Sequence, residues 1–208
     1  MKEIALHVLD VVQNSIEAGA TRVGVTVTED TERDLLTIEI VDNGRGMPPD
    51  VTGAATDPFV TTRRTRPVGL GLPLLALAAR QSGGSLTVDS RPGEGTRVLV
   101  TFRSGHVDRP PLGDMALTLA CLMAANPTLD LDYVHVRDGR EFRVSSADLR
   151  SRLDGVSLGN PAVFAFVRDY IRAGIREVSN AGGTEGQARG TMGAGTSTEP
   201  AGDRALSN

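Results

Sequence analysis

Asp10 and Asn14 stand four residues apart in HVLDVVQNSIEAGA, where Ile4, Leu6, Val8, Leu9, Val11, Val12 and Ile16 mark a largely buried helix. A carboxylate and an amide at that spacing share one helix face, one turn from each other. Burying either without a partner costs roughly 1–3 kcal/mol, so the pair must face water or meet polar groups. Two glycine-bearing stretches lie downstream. Asp42-Asn43-Gly44-Arg45-Gly46 follows an alternating strand, and Gly69-Leu70-Gly71-Leu72 opens a helix. Glycines ahead of a helix let the backbone approach an anion, and the free N–H groups with the helix dipole attract phosphate. Each stretch alone is equally suited to a simple turn. A P-loop is excluded, because no GxxxxGK[ST] occurs and the single lysine is Lys2.

The elements that must position these residues follow in order. A helix from about Glu3 to Ala18 ends at Gly19. Arg22–Thr28 and Leu35–Val41 alternate and are rich in β-branched residues, which predicts an antiparallel hairpin. From there to Pro67 no period is visible, and Arg63, Arg64 and Arg66 crowd this long loop. Pro73 suits the first turn of the next helix, which Gly83-Gly84 ends. Ser85–Arg91 and Thr96–Phe102 form a second hairpin around PGEG. A four-stranded or larger mixed sheet covered on one face by helices is the simplest packing.

Near Ser104 the character changes. A proline-rich connector, GHVDRPPLGDM, precedes a buried helix, MALTLACLMAA. Two short strands flank Asp138-Gly139, a capped helix starts near Ser145 or Ser146, and an amphipathic helix has Pro161 near its start. The expected division is a main domain over 1–103, a small C-terminal α/β subdomain or extension over 104–178, and a tail over 179–208. That tail has almost no apolar bulk and is expected to be disordered.

Composition bounds the function. The chain of 208 residues is 39% hydrophobic and carries a net charge of −4, which gives no general attraction to nucleic acid or anionic membrane. No apolar run is long enough to span a bilayer, and the N-terminus has no signal-peptide pattern. The one cysteine, Cys121, lies in an apolar run and cannot form an internal disulfide. It is expected in the core of a cytoplasmic protein.

Five motifs together carry a resemblance. DVVQNSIEAGAT, VDNGRGM, DPFVTT, GLGLPL and GEGTRV resemble, in the right order, the N box, first glycine box, phenylalanine box, second glycine box and a last-strand box of the GHKL superfamily. That superfamily is named for gyrase, a heat-shock chaperone, histidine kinases and the mismatch-repair ATPase. The resemblance implies an α+β, two-layer α/β sandwich (the Bergerat-type ATP-binding fold) with ATP and Mg²⁺ as cofactors. It makes Asn14 the metal ligand, an oxygen donor suited to a hard cation. Asp42 becomes the acceptor for the adenine amino group, supported through water by Thr96. Gly44 and Gly46 let the base lie against the backbone, with Met47 as an apolar neighbour. Gly69, Leu70, Gly71 and Leu72 offer amides to the phosphates. Arg45–Val68 corresponds to the ATP lid, with Thr61, Thr62 and Arg63 facing phosphate.

Asp10 takes the catalytic position. Hydrolysing members carry a glutamate general base there and histidine kinases usually an amide, so an aspartate leaves the reaction open. It could orient water, accept a proton from a protein hydroxyl, or bind the Mg²⁺ shell. His7, one turn earlier, stands where it could hydrogen-bond to Asp10. With Lys2 the sole lysine, the lysine that some hydrolysing members place on the γ-phosphate is missing or replaced by Arg109, Arg137 or Arg140. The boxes begin within ten residues of Met1, so the expectation is a stand-alone protein without a phosphoacceptor helix pair. It would act on an unidentified partner protein, with homodimer formation left open. Three functions compete: a kinase acting in trans, a slow ATPase using lid closure to remodel or assemble a partner complex, and a non-catalytic ATP sensor.

Overall fold

The computed structural model describes residues 3–53 and 71–180. Within them the order is α1 (Ile4–Glu17), β1 (Arg22–Asp30), β2 (Leu35–Asp42), α2 (Pro49–Gly53), α3 (Gly71–Gln81), β3 (Leu86–Arg91) and β4 (Gly95–Arg103). It continues with α4 (Met115–Ala125), β5 (Asp130–Arg137), β6 (Arg140–Ser145), α5 (Ser146–Arg152) and α6 (Pro161–Asn180). The strands form one sheet in the order β3-β4-β2-β1-β5-β6. The expected hairpins β1–β2 and β3–β4 are present and antiparallel, and β2 pairs antiparallel with β4.

β5 pairs in parallel with β1 from Arg22↔Asp130 to Glu29↔Arg137. Strands from the C-terminal stretch therefore extend the sheet beyond four, giving the mixed α+β architecture. Alternation explains the layering. Val23, Val25 and Val27, Leu36, Ile38 and Ile40, and Val98, Val100 and Phe102 all turn to one face and are buried there. Helices α1, α3, α4 and α6 cover that face, and one apolar cluster runs from Val11 through Leu119 to Ile171. The connector contributes too: the Ile4 and Ala5 N–H groups, free at the start of α1, donate to the Pro111 and Leu112 carbonyls at 3.0 and 2.9 Å.

Several local expectations need correction. A short helix, α2, stands inside the stretch read as periodless loop, because Pro48 accepts the Val51 and Thr52 N–H groups at 3.1 and 2.9 Å. Helix α6 runs to Asn180, so Ser179 and Asn180 are helical rather than part of the tail. Ser145 precedes α5 without a side-chain cap bond; Ser146 Oγ instead donates to the Leu129 carbonyl and accepts the Leu131 N–H. Cys121 is exposed, since it shares the outward stripe of α4 with Leu117. Residues 54–70 and 181–208 lie outside the described residues.

A buried polar chain closes the end of the sheet where β1 and β5 finish. Tyr133, pushed up by burial, stays protonated, and its hydroxyl is hydrogen-bonded to His135 Nδ1 at 2.7 Å. His135 Nε2 donates to Glu29 Oε1 at 2.8 Å, since a carboxylate can only accept. This bond holds the Glu29 carboxyl below its ordinary range, against burial, with Arg137 at 3.4 Å helping. A depressed folded-state pKa means stability that is present above the unfolded value and lost as pH falls through the folded one. Glu29→Gln is therefore expected to cost about 1–2 kcal/mol at neutral pH. It should also flatten the stability loss below the ordinary value of 4.5. Urea unfolding at several pH values checks both; parallel acid limbs would refute the assignment.

Candidate functional site

Asp42, Thr96 and Ser90 stand in line across three strands, through the pairs Asp42↔Thr96 and Ser90↔Thr96. All three have the phase of the helix-covered face. Asp42 ends β2 beneath the C-terminal turns of α1 and is buried. Ser15 Oγ donates to Asp42 Oδ2 at 2.7 Å, and the Gly44 N–H donates to Oδ1 at 2.8 Å. Each carboxylate oxygen is thus held by one donor and keeps further lone-pair capacity, so the group can still accept a bond from a ligand.

The turn after β2 is fastened on all sides. Asn43 Oδ1 accepts the Thr21 and Arg22 N–H groups, both at 2.9 Å, and its amide donates to Thr21 Oγ1 at 2.9 Å. Arg45 N–H donates to the Ala18 carbonyl at 3.0 Å, tying the turn to the end of α1. Met47 N–H donates to Ser90 Oγ at 2.8 Å. Ser90 in turn contacts Thr96 Oγ1 at 2.9 Å and the Gly95 carbonyl at 2.9 Å. At Gly46 the space for a side chain is filled by the Arg91 carbonyl, 1.9 Å from an ideal Cβ. That glycine is demanded by the protein's own packing. A groove of about 430 Å³ opens beside these residues, lined by Val41, Asp42, Pro49, Ser90, Gly95 and Thr96 among others.

Asp10 and Asn14 are partly exposed on one face of α1. An ideal Cβ on Gly71 would lie 3.4 Å from the Asp10 Cβ and 3.6 Å from its Oδ2, so the carboxylate stands at the N-terminus of α3. The helix dipole makes that corner favourable to negative charge. His7 is buried, and among the described residues its Nδ1 has no hydrogen-bond partner, on Asp10 or elsewhere. Burial, the largest influence, lowers its pKa, so it is a neutral packing residue.

The candidates for a replaced lysine are elsewhere. Leu131 lies level with Val23 and Asp42, and Arg137 is six residues further along β5, about 20 Å away at ~3.3 Å per residue. Arg137 pairs with Glu29, Arg140 lies opposite it across the β5–β6 turn, and Arg109 donates to the Ser104 and Pro110 carbonyls. Arg137 and Arg109 are thus engaged locally, and Arg140 shares the far end of β5 and β6 with Arg137. Thr61, Thr62, Arg63, Gly69 and Leu70, the DPFVTT box and most of the lid lie outside the described residues. Gly71 and Leu72 open α3 as expected.

Residues 2–106, just over half the chain, match the family described as histidine kinase-, DNA gyrase B-, and HSP90-like ATPase. The chain belongs to this family. A putative sensor histidine kinase NtrY-like protein of Rickettsia conorii is 29% identical over 108 residues, 52% of this chain and 18% of the relative. Nitrogen regulation protein NtrY of Azorhizobium caulinodans is 33% identical over 93 residues, 44% of this chain and 11% of the relative. The chain thus spans less than a fifth of the length of these curated relatives. Among solved structures, the N-terminal domain of a DNA repair protein covers 70% of this chain with a TM-score of 0.48 at 16% identity, over 53% of its own length.

Within this histidine-kinase-, gyrase- and HSP90-like fold, Asp42 and Gly44 lie against the end of α1 with Thr96 opposite Asp42, and Asp10 stands beside the start of α3 with Asn14 one turn along the same helix face. Sequence reasoning overlooked Ser15 and Ser90. Both were signalled, since each is a hydroxyl at a position whose phase turns it toward the core. No described helix is long and apolar enough to cross a membrane.

Proposed function

We propose that this chain binds ATP with Mg²⁺ and uses it as a kinase acting in trans on a separate partner protein. The observation that carries the nucleotide reading is the doubly held Asp42, a buried acceptor-only group at the end of the helix-covered face. Such a group selects a donor, the 6-amino group of adenine, over the 6-oxo group of guanine. Among the described residues no cluster of three or more His, Cys, Asp or Glu side chains could cage a metal. Asn14, with Asp10 one turn away, offers only one or two oxygen donors. That suits Mg²⁺, which keeps waters and takes substrate phosphate oxygens for the remaining positions. The bound ion would neutralise charge on the phosphates; Asn14 would hold it, and the α3 N-terminus with Gly71 and Leu72 would attract the phosphates.

A second reading, slow hydrolysis, is favoured by the Asp10 carboxylate lying against Gly71 at the mouth of α3. There it is placed to take a proton from an attacking water or from a partner's hydroxyl. Incubation of the purified chain with γ-labelled ATP, following free phosphate and protein-bound label, separates the readings. Phosphate release lost in Asp10→Ala establishes hydrolysis with Asp10 as base. ATP binding without release supports the kinase or a non-catalytic sensor, and label on an added partner decides for the kinase. Asn14→Ala is expected to weaken ATP binding at least tenfold in Mg²⁺ and little in EDTA (~1.4 kcal/mol per tenfold). Equal effects in both would refute the metal role.

A further inference from the structure

Among the described residues β6 is the terminal strand of the sheet. The two-residue turn before it, Asp138-Gly139, has positive φ at both positions (49° and 81°). A turn of that kind makes Arg137 and Arg140 a hydrogen-bonded pair. By antiparallel alternation, the N–H and C=O groups of Glu141, Arg143 and Ser145 then point away from β5, toward the open edge. Glu141 and Arg143 are exposed on the outer face and form a bidentate pair at 2.8 and 2.9 Å. Phe142 turns the other way, under α6, edge-on to Tyr170 with centroids 5.6 Å apart.

Among the described residues, helix α6 carries an unpartnered apolar stripe beside this edge. Phe166 is 62% exposed and Tyr170 44%, with their rings stacked at 6.2 Å. Ala162 and Ala173 are exposed on the same face, at helical spacing. An open strand flanked by adjoining exposed aromatic rings is the mark of a surface that is covered in use.

We infer that this edge docks a second copy of the chain, β6 pairing antiparallel with its counterpart about a two-fold axis through Phe142. The charges fix the register. An axis at Phe142 sets Glu141 opposite Arg143 of the second copy and Arg143 opposite its Glu141, and these are the residues whose backbone groups face outward. An axis at Glu141 or at Arg143 would set like charges opposite each other, which is destabilising. Antiparallel pairing keeps both helix layers on one side of the joined sheet, so the two α6 stripes face each other. The contact is isologous and closed, as a two-fold dimer requires. β2, which carries Asp42, is three strands from β6, so both nucleotide sites stay open.

Sedimentation of the 208-residue chain over a wide concentration range, under reducing conditions because Cys121 is exposed, tests this. A reversible dimer is expected. Arg143→Glu should raise its dissociation constant about a hundredfold by setting like charges across the axis. The double exchange Glu141→Arg with Arg143→Glu should restore dimerisation, and Phe166→Ser, at an exposed position, should weaken it while leaving the melting curve unchanged at a dilution where both proteins are monomeric. A monomer at every concentration, the result expected if another protein's strand uses this edge, overturns the inference. So does a dimer indifferent to Arg143→Glu, or a double exchange that fails to rescue.

Discussion

Asp42→Asn is expected to leave the fold intact and to cost about a hundredfold in ATP affinity. The Gly44 N–H can only donate, so it will hold the amide oxygen at the place of Oδ1, 2.8 Å away. The new NH₂ must then face Ser15, whose hydroxyl can turn, accept from it, and donate to the Val11 carbonyl, already 3.3 Å from Oγ. Every buried group stays satisfied, and the melting temperature should move little. The cost falls on the ligand. An NH₂ now faces the adenine amino group, donor against donor, and a charge-assisted bond of roughly 1.5–3 kcal/mol is lost. Discrimination should shift in the same variant toward a base with a 6-oxo acceptor, such as inosine triphosphate. Titration calorimetry with both nucleotides checks this; an unchanged ATP dissociation constant would remove Asp42 from the base contact.

Gly46→Ala should be the most destabilising small substitution in the site, at about 3 kcal/mol or more. The residue sits at φ 64°, where a Cβ is strained, and that Cβ would fall 1.9 Å from the Arg91 carbonyl oxygen and 2.7 Å from its carbon. Backbone cannot rotate out of the way as a side chain can. The turn or the end of β3 must move, and with it the Met47 N–H to Ser90 Oγ bond that joins turn to sheet. Against a domain stability of about 5–15 kcal/mol, the loss is readily measured by guanidinium unfolding. A midpoint equal to that of the unaltered chain would show that the turn is not anchored as described.

How much of this was legible beforehand is clearest at Asp10, Asn14 and Asp42. Helix periodicity placed Asp10 and Asn14 on one face, and strand alternation gave Asp42 the phase of the buried face. Both are local consequences of backbone geometry. The ordered boxes added the expected ATP site. Cys121 was misplaced because MALTLACLMAA is apolar all round, so its sequence carries no sign of which narrow stripe faces out; contact with α6 and α1 decides that. Arg109, Arg137 and Arg140 were candidates on charge alone; the β1–β5 and β5–β6 registers put Arg137 and Arg140 at the far end of the sheet, and Arg109 is taken up by the Ser104 and Pro110 carbonyls.

By itself the sequence determined the six strands, the longer helices, the buried faces of the elements that alternate or are amphipathic, and the glycine-bearing turns, since each depends on interactions within a few residues. Tertiary structure alone decided that β5 lies parallel to β1, that Ser15 meets Asp42, and that Ser90 meets the Met47 N–H. It alone left β6 as the outermost strand among the described residues. Strand partners and hydroxyl contacts are made between residues far apart in the chain, and no local period records which distant group they will meet.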